Sequence, residues 1–176
     1  SHGTQLLSSL LPKRKFPFPK SLYAVQECLD IVVRNNPNAV ILDFFGGSGT
    51  TTHAVMLLNK QYGGQRQCIL ITNNEVGSDE QRRLKLDGHR QGDPEWEQWG
   101  ICDYITKPRI KAAITGKTSE DLDINGEYRF NCQFPMSAGV EENAKFFTLT
   151  YETPIAVSHN RAFARIAPLL WMRAGS

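Results

Sequence analysis

The sequence lacks the features of several protein classes. No apolar stretch approaches the ~18 residues that a membrane-spanning helix needs. The first residues lack the charged and apolar regions of a signal peptide. Lys and Arg total 20 against 18 Asp and Glu, and this net charge of +2 neither requires nor excludes nucleic acid. We therefore expect a soluble, cytoplasmic α/β chain, with no membrane partner and with enough length for one core.

Cysteine is also scarce. The four cysteines lie 30 or more residues apart, and no C-x-x-C pair occurs. Zinc sites usually have closer pairs, so we predict no metal site. Without a secretion signal, free thiols in a reducing compartment are the expectation.

The most informative stretch covers residues 40–52. A short apolar run ends at Asp43, glycines 46, 47 and 49 follow, and a helical pattern begins near Thr50. Glycines let a ligand approach the backbone closely, and the free N–H groups of a helix N-terminus attract polar ligands. This order is typical of a nucleotide-sized pocket in an α/β protein.

The surrounding pattern predicts a helix, strand, helix, strand series. Its elements are a helix over 21–35, a strand over 39–44, a helix over 50–61 and a strand over 68–72. We expect the first strand to be buried, and the two strands to be parallel and joined by a right-handed crossover. Other expectations are a proline-rich arm without helix (11–20), helices over 80–85, 105–114 and 160–172, an ordered loop over 88–100, a turn-rich segment over 115–143, and a strand over 145–151.

Two well-known glycine-loop motifs match residues 46–52 poorly. A phosphate-binding P-loop needs a lysine after its last glycine, but Thr50 follows Gly49. The dinucleotide pattern G-x-G-x-x-G starts at Gly47 but meets Thr52 in place of its third glycine. A nicotinamide or flavin cofactor stays open as an alternative.

Two acids favour a different ligand. A carboxylate at Asp43 would repel a pyrophosphate but suits the ammonium and sulfonium groups of S-adenosylmethionine. Glu75 follows the second predicted strand, where an acid can accept hydrogen bonds from both ribose hydroxyls. Together the acids indicate a nucleoside pocket without phosphates.

Three segments resemble a known family, the DNA methyltransferases that methylate base amino groups. Residues 43–51 (DFFGGSGTT) resemble the cofactor motif D-P-F-x-G-S-G-T-T, with Phe44 in place of proline. Residues 16–21 (FPFPKS) resemble the F-x-x-P-K-P/S segment that precedes the glycine loop in the subgroup with permuted motif order. Residues 103–110 (DYITKPRI) resemble a segment of type III modification subunits. The resemblance implies a Rossmann-like, S-adenosylmethionine-dependent methyltransferase fold.

The resemblance also implies a set of cofactor-binding residues: Lys20, Ser21, Asp43, Phe44, Phe45, Gly46, Gly47, Ser48, Gly49, Thr50, Thr51 and Glu75. Lys20 and Ser21 would hold the methionine carboxylate or its neighbourhood. Asp43 would face the ammonium, Phe45 would line the cofactor wall, and Glu75 would bind the ribose. Thr50 and Thr51 would cap the helix and donate to the carboxylate.

One element of the family is missing. Its catalytic D/N/S-P-P-Y/F/W tetrapeptide, which holds the amino group of a flipped-out base, does not occur in this sequence. In the permuted order it would lie before Lys20. We therefore predict no catalytic residue, and interpret the chain as the C-terminal, cofactor-binding part of a larger enzyme. The predicted parts are a basic arm with a tag remnant (1–15), a cofactor-binding part (16–115), and an extension ending in an apolar helix (116–176).

The implied function is adenine N6 methylation of DNA in a bacterial restriction-modification system, with a restriction subunit as a further partner. We predict that the chain alone is inactive. Two alternatives stay open. One is a non-catalytic module of a restriction or defence complex, and the other is a nucleotide-dependent oxidoreductase.

Overall fold

The structure, a computed structural model, describes residues 2–129, 133–149, 155 and 163–174. It forms two compact units, residues 1–144 and 145–176. The helices and strands of the first unit are α1 (His2–Leu10), α2 (Leu22–Val33), β1 (Val40–Asp43), α3 (Thr50–Tyr62), β2 (Gln67–Leu70), α4 (Ser78–Leu86), α5 (Pro94–Glu97), a π-helix (Cys102–Thr106), α6 (Lys107–Thr115), β3 (Glu127–Tyr128), β4 (Phe134–Pro135) and a 3-10 turn (Met136–Ala138). The second unit contains α7 (Phe163–Arg173).

The predicted helical crossover between two parallel strands is confirmed. β1 and β2 pair in parallel, with Ile41 opposite Cys68 and Asp43 opposite Leu70. α3 connects them and packs against β2 and α2. β3 and β4 form a separate antiparallel pair. The hand of the crossover stays a prediction.

The expectation of a buried first strand was wrong for this chain. Val40 and Leu42 are 60% and 61% exposed, and Ile69 on β2 is 47% exposed. Their neighbours Ile41 and Cys68 are half-buried. The apolar run arises because a parallel sheet is ordinarily covered on both faces, whereas the described residues cover one.

The main core lies between α1, α3 and α6. Its larger buried members are Leu7, Leu10, Leu11, Leu22, Leu57, Ile105, Ile110, Ile124 and Tyr128. A smaller cluster of Val33, Ala39 and Leu58 lies where α2 meets α3 and the start of β1.

Helix α1 was not predicted from the sequence, and the assignment of residues 1–15 to a basic arm with a tag remnant stays a prediction. Leu7 and Leu10 of α1 are buried, because their three-residue spacing places both on one helix face. A Cβ on Gly3 would lie 2.3 Å from the carbonyl oxygen of Pro19, so α1 packs closely on the arm. Residues 11–20 contain no helix, as predicted. The division at residues 15 and 115 stays a prediction.

Helices α2, α4, α6 and α7 match expectation, whereas α5 lies in the predicted loop 88–100 and β3 and β4 lie in the predicted turn-rich segment 115–143. Ser21 occupies the N-cap position of α2, and α6 begins at Lys107 with Pro108 in its first turn. α4 and α7 form close to their predicted bounds. Residues 145–149 are not a strand, and residues 150–151 of that prediction lie outside the described part.

No helix among the described residues is long and apolar enough to span a membrane. The described residues also contain no group of three His, Cys, Asp or Glu side chains that could hold a metal. Cys28, Cys68 and Cys102 are free thiols, and Cys132 lies outside the described residues.

Candidate functional site

Asp43 and the predicted site residues of the glycine loop lie at one edge of the parallel strands. Because β1 and β2 are parallel, the segments after Asp43 and after Leu70 leave the sheet at the same edge. The backbone N–H of Gly46 donates to the carbonyl oxygen of Ile71 at 2.9 Å, which joins the two segments directly. The structure therefore brings the glycine loop and the segment that carries Glu75 together.

The glycine loop turns tightly into α3. Gly47 and Gly49 adopt φ values of +50° and +75°, the left-handed region that favours glycine. A Cβ on Gly46 would lie 2.3 Å from Leu70 Cγ, so the loop backbone passes close to β2. Gly49 is the N-cap of α3, with no side-chain capping hydrogen bond. The expectation that the hydroxyls of Thr50 and Thr51 cap this helix was wrong, because they bond elsewhere.

The Asp43 carboxylate is held at the start of this loop. It accepts hydrogen bonds from Thr51 Oγ1 at 2.6 Å and from the Phe45 backbone N–H at 3.2 Å. Two oxygens have about four acceptor sites, so Asp43 retains capacity for a ligand. Phe44 and Phe45 are 59% and 88% exposed, with their rings in edge contact at 5.4 Å. An acid and two exposed aromatic rings thus border the loop.

Beneath the loop, Ser48 and Thr50 point into the protein. Both are buried, and the guanidinium Nη1 of Arg109 donates to Thr50 Oγ1 at 2.7 Å and to Ser48 Oγ at 3.1 Å. Thr106 donates its hydroxyl to the carbonyl oxygen of Gly47. The π-helix and α6 therefore fix three successive parts of the loop from below.

Two groups near Arg109 have shifted pKa values. Burial lowers the pKa of Arg109 to about 10, which leaves the guanidinium charged at neutral pH. Burial, and then the charge of Arg109, hold the pKa of His53 well below its usual range. His53 is therefore neutral at pH 7, and Arg109 is the cation under the loop.

The second strand carries the other half of the site. Asn74 accepts the backbone N–H of Asp103 at 3.1 Å and donates to the carbonyl oxygen of Glu97 at 2.8 Å. The Ile101 N–H donates to the carbonyl oxygen of Glu75 at 3.0 Å. The Glu75 carboxylate itself is exposed and lines a cleft of about 560 Å³, together with Asn73 and Trp96.

Lys20 and Ser21 are not joined to this edge. Among the described residues, no hydrogen bond or ion pair connects either of them with Asp43 or the glycine loop. The carbonyl of Lys20 instead lies against Gly3 of α1. Their cofactor role stays a prediction.

The sequence analysis missed Asn74, Thr106 and Arg109 as site residues. A signal for Arg109 was present, since it stands four residues after Ile105 and four before Ala113, both buried. A charged residue on the apolar face of a helix usually has a special partner. The resemblance at residues 103–110 marked the same segment without assigning it a role.

Part of the chain is similar to known DNA methylases. Residues 2–80 match the DNA methylase family N6_N4_Mtase. The type II methyltransferase M.KpnI of Klebsiella pneumoniae is 38% identical over 72 residues, or 41% of this chain and 17% of that protein.

Two Mod subunits of type III restriction-modification enzymes are also similar. StyLTI Mod of Salmonella typhimurium is 38% identical over 74 residues, covering 42% of this chain and 11% of that protein. EcoPI Mod of Escherichia phage P1 is 37% identical over 119 residues, covering 68% of this chain and 16% of that protein. The chain thus spans less than a fifth of each of these relatives. Residues 2–80 thus match a DNA methylase family, and the chain is similar to Mod subunits of type III restriction-modification enzymes.

Proposed function

We propose that this chain is the S-adenosylmethionine-binding part of a DNA methyltransferase that methylates adenine N6 in a restriction-modification system. The observation that carries the proposal is that the glycine loop after Asp43 and the segment that leads to Glu75 leave the parallel strands at the same edge, and that the loop has no phosphate-binding lysine. That arrangement suits a nucleoside that bears a cationic amino-acid group and no phosphate.

The fold we propose for the intact protein is Rossmann-like. The parallel strands with their helical crossover support it. The exposed apolar face of β1 and β2 supports a place in a larger sheet, because parallel sheets are buried on both faces. Residues 16–115 would be the cofactor-binding part and residues 116–176 an extension.

The residues at the edge fit the methyl donor. When bound, S-adenosylmethionine supplies an electrophilic methyl group on its sulfonium sulfur. Asp43 accepts hydrogen bonds from the ammonium while Thr51 keeps the carboxylate oriented. Glu75 accepts the ribose hydroxyls, and Asn74 fixes the backbone that carries it.

The loop would serve the amino-acid end of the donor. Gly47 and Gly49 let the loop turn tightly, Gly46 lets it pass close to β2, and the N–H groups of the first turn of α3 are free of helical partners. Phe44 and Phe45 form a wall, and Lys20 and Ser21 complete the carboxylate side of the pocket in this proposal.

Other residues of the parent protein would present the target base to the methyl donor. The sequence holds no D-P-P-Y-type tetrapeptide, so we propose that the parent protein supplies it, together with DNA recognition. The parent would act on DNA in the cytoplasm, with a restriction subunit as its partner. The isolated chain would bind the donor without methylating DNA.

A ligand panel tests the proposal. Thermal unfolding is followed with S-adenosylmethionine, S-adenosylhomocysteine and NAD, each at equal concentration. At a hundredfold excess over its Kd, a bound ligand adds about 2.7 kcal/mol, or roughly 5–10 °C in Tm for a chain of this size. We expect the two sulfur compounds to raise the Tm and NAD to leave it unchanged. A rise with NAD alone favours the oxidoreductase, and transfer of a labelled methyl group to DNA by the isolated chain would contradict its predicted inactivity.

A further inference from the structure

Arg109 is a buried cation that has no acidic partner among the described residues. Its side chain is 1% exposed, and none of the ion pairs in the described part of the chain includes it. Its Nε atom is buried with no hydrogen-bond partner. A buried charge in this condition is costly to stability, so its presence calls for a compensating use.

A second buried arginine, Arg66, has a hydrogen-bond acceptor for each of its side-chain nitrogens. Arg66 is 4% exposed and also forms no ion pair in the described part of the chain. Its nitrogens donate to the carbonyl oxygens of Val33, Gly63 and Arg34 at 3.1, 2.8 and 2.7 Å. All three of its nitrogens have acceptors, whereas the Nε of Arg109 has none. Arg66 thus serves as a structural reference for Arg109.

The location of Arg109 indicates its use. Its Nη1 reaches Ser48 and Thr50, which bracket the N-terminus of the 13-residue helix α3. The partial positive charge of the helix end and the guanidinium therefore add at the same loop. In a buried, weakly screened position, the summed potential favours an anion above the loop.

The hydroxyl groups extend this effect to the loop. Ser48 Oγ and Thr50 Oγ1 lie 3.2 Å apart, and both accept hydrogen bonds from Arg109. Because Arg109 occupies an acceptor site on each oxygen, the hydroxyl hydrogens are left for other partners. One hydroxyl can donate to the other, and because both side chains face the core they act on the loop by holding its backbone in place.

We infer that Arg109 is a positioning residue for the carboxylate of an amino-acid-bearing nucleoside, acting through Ser48, Thr50 and the N-terminus of α3. The inference rests on the proposed function. It adds that the charge of Arg109 strengthens the binding of ligands that carry the carboxylate relative to ligands that lack it. A merely structural arginine would support every ligand of the pocket equally.

Two ligands separate these roles. S-adenosylhomocysteine carries the amino-acid carboxylate, and 5′-methylthioadenosine shares its thioether nucleoside without the amino acid. Calorimetric titrations of both ligands use wild-type chain, Arg109→Met, Arg109→Lys and the matched control Arg66→Met. Circular dichroism and thermal unfolding check that each variant is folded.

We expect Arg109→Met to weaken S-adenosylhomocysteine about tenfold or more, while 5′-methylthioadenosine changes less than twofold. Arg109→Lys should recover most of the affinity, because the charge returns. Arg66→Met should lower the Tm without changing the ratio of the two affinities. Equal weakening of both ligands in folded Arg109→Met would overturn the inference.

A second variant, Thr50→Val, tests the inference if Arg109→Met does not fold. Thr50→Val keeps the guanidinium and removes one of its acceptors, and the same selective loss is expected. An unchanged ratio of affinities in Thr50→Val counts against the inference. Failure of the wild-type chain to bind either ligand overturns the proposed function itself, which separates that result from a failure of the Arg109 role.

Discussion

The imidazole Nε2 of His53 lies 2.8 Å from the phenol oxygen of Tyr128, and the two rings meet edge to face with centroids 5.4 Å apart. Both residues are fully buried, and His53 Nδ1 has no partner in the described structure. The pair joins α3, directly behind the glycine loop, to the short strand β3. It therefore supports the loop from the core side, and its ionisation bears on the stability of the chain.

The first prediction concerns pH. The pKa of His53 is lowered by burial in the folded chain, so the unfolded chain takes up a proton near pH 6.5 that the folded chain refuses. Stability is thus full above pH 6.5 and falls as the pH drops below it. Urea unfolding at pH 7.5 and 5.5 should show that His53 accounts for about 1.4 kcal/mol of the difference in unfolding free energy. His53→Gln, which cannot titrate, should reduce the difference by that amount, and an unchanged difference contradicts the account.

The second prediction removes the hydroxyl of the same pair. Tyr128→Phe leaves both His53 nitrogens without a partner in the core, so we expect a loss of about 1–3 kcal/mol of unfolding free energy. Tyr62→Phe is the control, because Tyr62 is 39% exposed and its acceptor Asp30 keeps Arg34 as a partner, so the loss should be less than about 1 kcal/mol. Similar losses in the two variants, measured by urea unfolding, would show that the pair is not a special support.

The third prediction tests the turn of the glycine loop. Gly49→Ala places a Cβ 3.2 Å from Thr106 Cγ2 at a φ of +75°. Gly88→Ala is matched to it, since Gly88 has a φ of +88° and nothing within 4 Å of its Cβ position. We expect about 1 kcal/mol of loss at Gly88 from backbone strain alone, and a larger loss at Gly49 because Thr106 must move. Equal losses would mean that the loop adjusts freely above the π-helix.

The fourth prediction tests the link between β2 and the π-helix. Asn74→Ala removes the acceptor of the Asp103 N–H and the donor to the Glu97 carbonyl, and we expect a loss of about 2–3 kcal/mol. The adjacent Asn73 is exposed and reaches only Glu75, at 3.4 Å. Asn73→Ala should therefore change the unfolding free energy by less than about 0.5 kcal/mol. A small effect of Asn74→Ala would contradict the assigned role of this side chain.

The fifth prediction concerns the uncovered sheet face. Leu42 is 61% exposed, so Leu42→Thr should change the stability of the isolated chain by no more than about 0.5 kcal/mol. Leu58, which is fully buried behind the same sheet, should cost about 2–5 kcal/mol when replaced by alanine. A large loss at Leu42 would show that the face is covered in solution.

The sequence predicted the helices and strands well where the hydrophobic periodicity agreed with the positions of capping residues, glycines and prolines. The parallel strands and the start of α6 near Pro108 follow from patterns of a few residues. Helix α1 was missed because the first residues were interpreted as a tag remnant, although Leu7 and Leu10 recur at helical spacing and α1 packs against α6 and the arm. The exposure of Val40 and Leu42 could not be predicted from the apolar run, since such a run is typical of a parallel strand that is covered on both faces.

The residues of the candidate site also divide into those that the sequence predicts and those whose role depends on tertiary packing. Asp43, the glycines and Glu75 were predicted because motif spacing is local information. The inward orientation of Ser48 and Thr50, and their contact with Arg109 about sixty residues later in the chain, depend on tertiary packing. Hydroxyls in such a loop can face the ligand or the core, and the sequence alone does not distinguish these orientations.

Calorimetric titration of S-adenosylhomocysteine into the wild-type chain, Asp43→Ala and Glu75→Ala tests the central claim most directly. The account predicts saturable binding of one ligand per chain, weakened about tenfold or more in each variant because a charged hydrogen-bond acceptor is lost. Binding of 5′-methylthioadenosine should weaken with Glu75→Ala and not with Asp43→Ala, since it lacks the ammonium. Absence of saturable binding by the folded wild-type chain, or equal affinity in all three proteins, would contradict it.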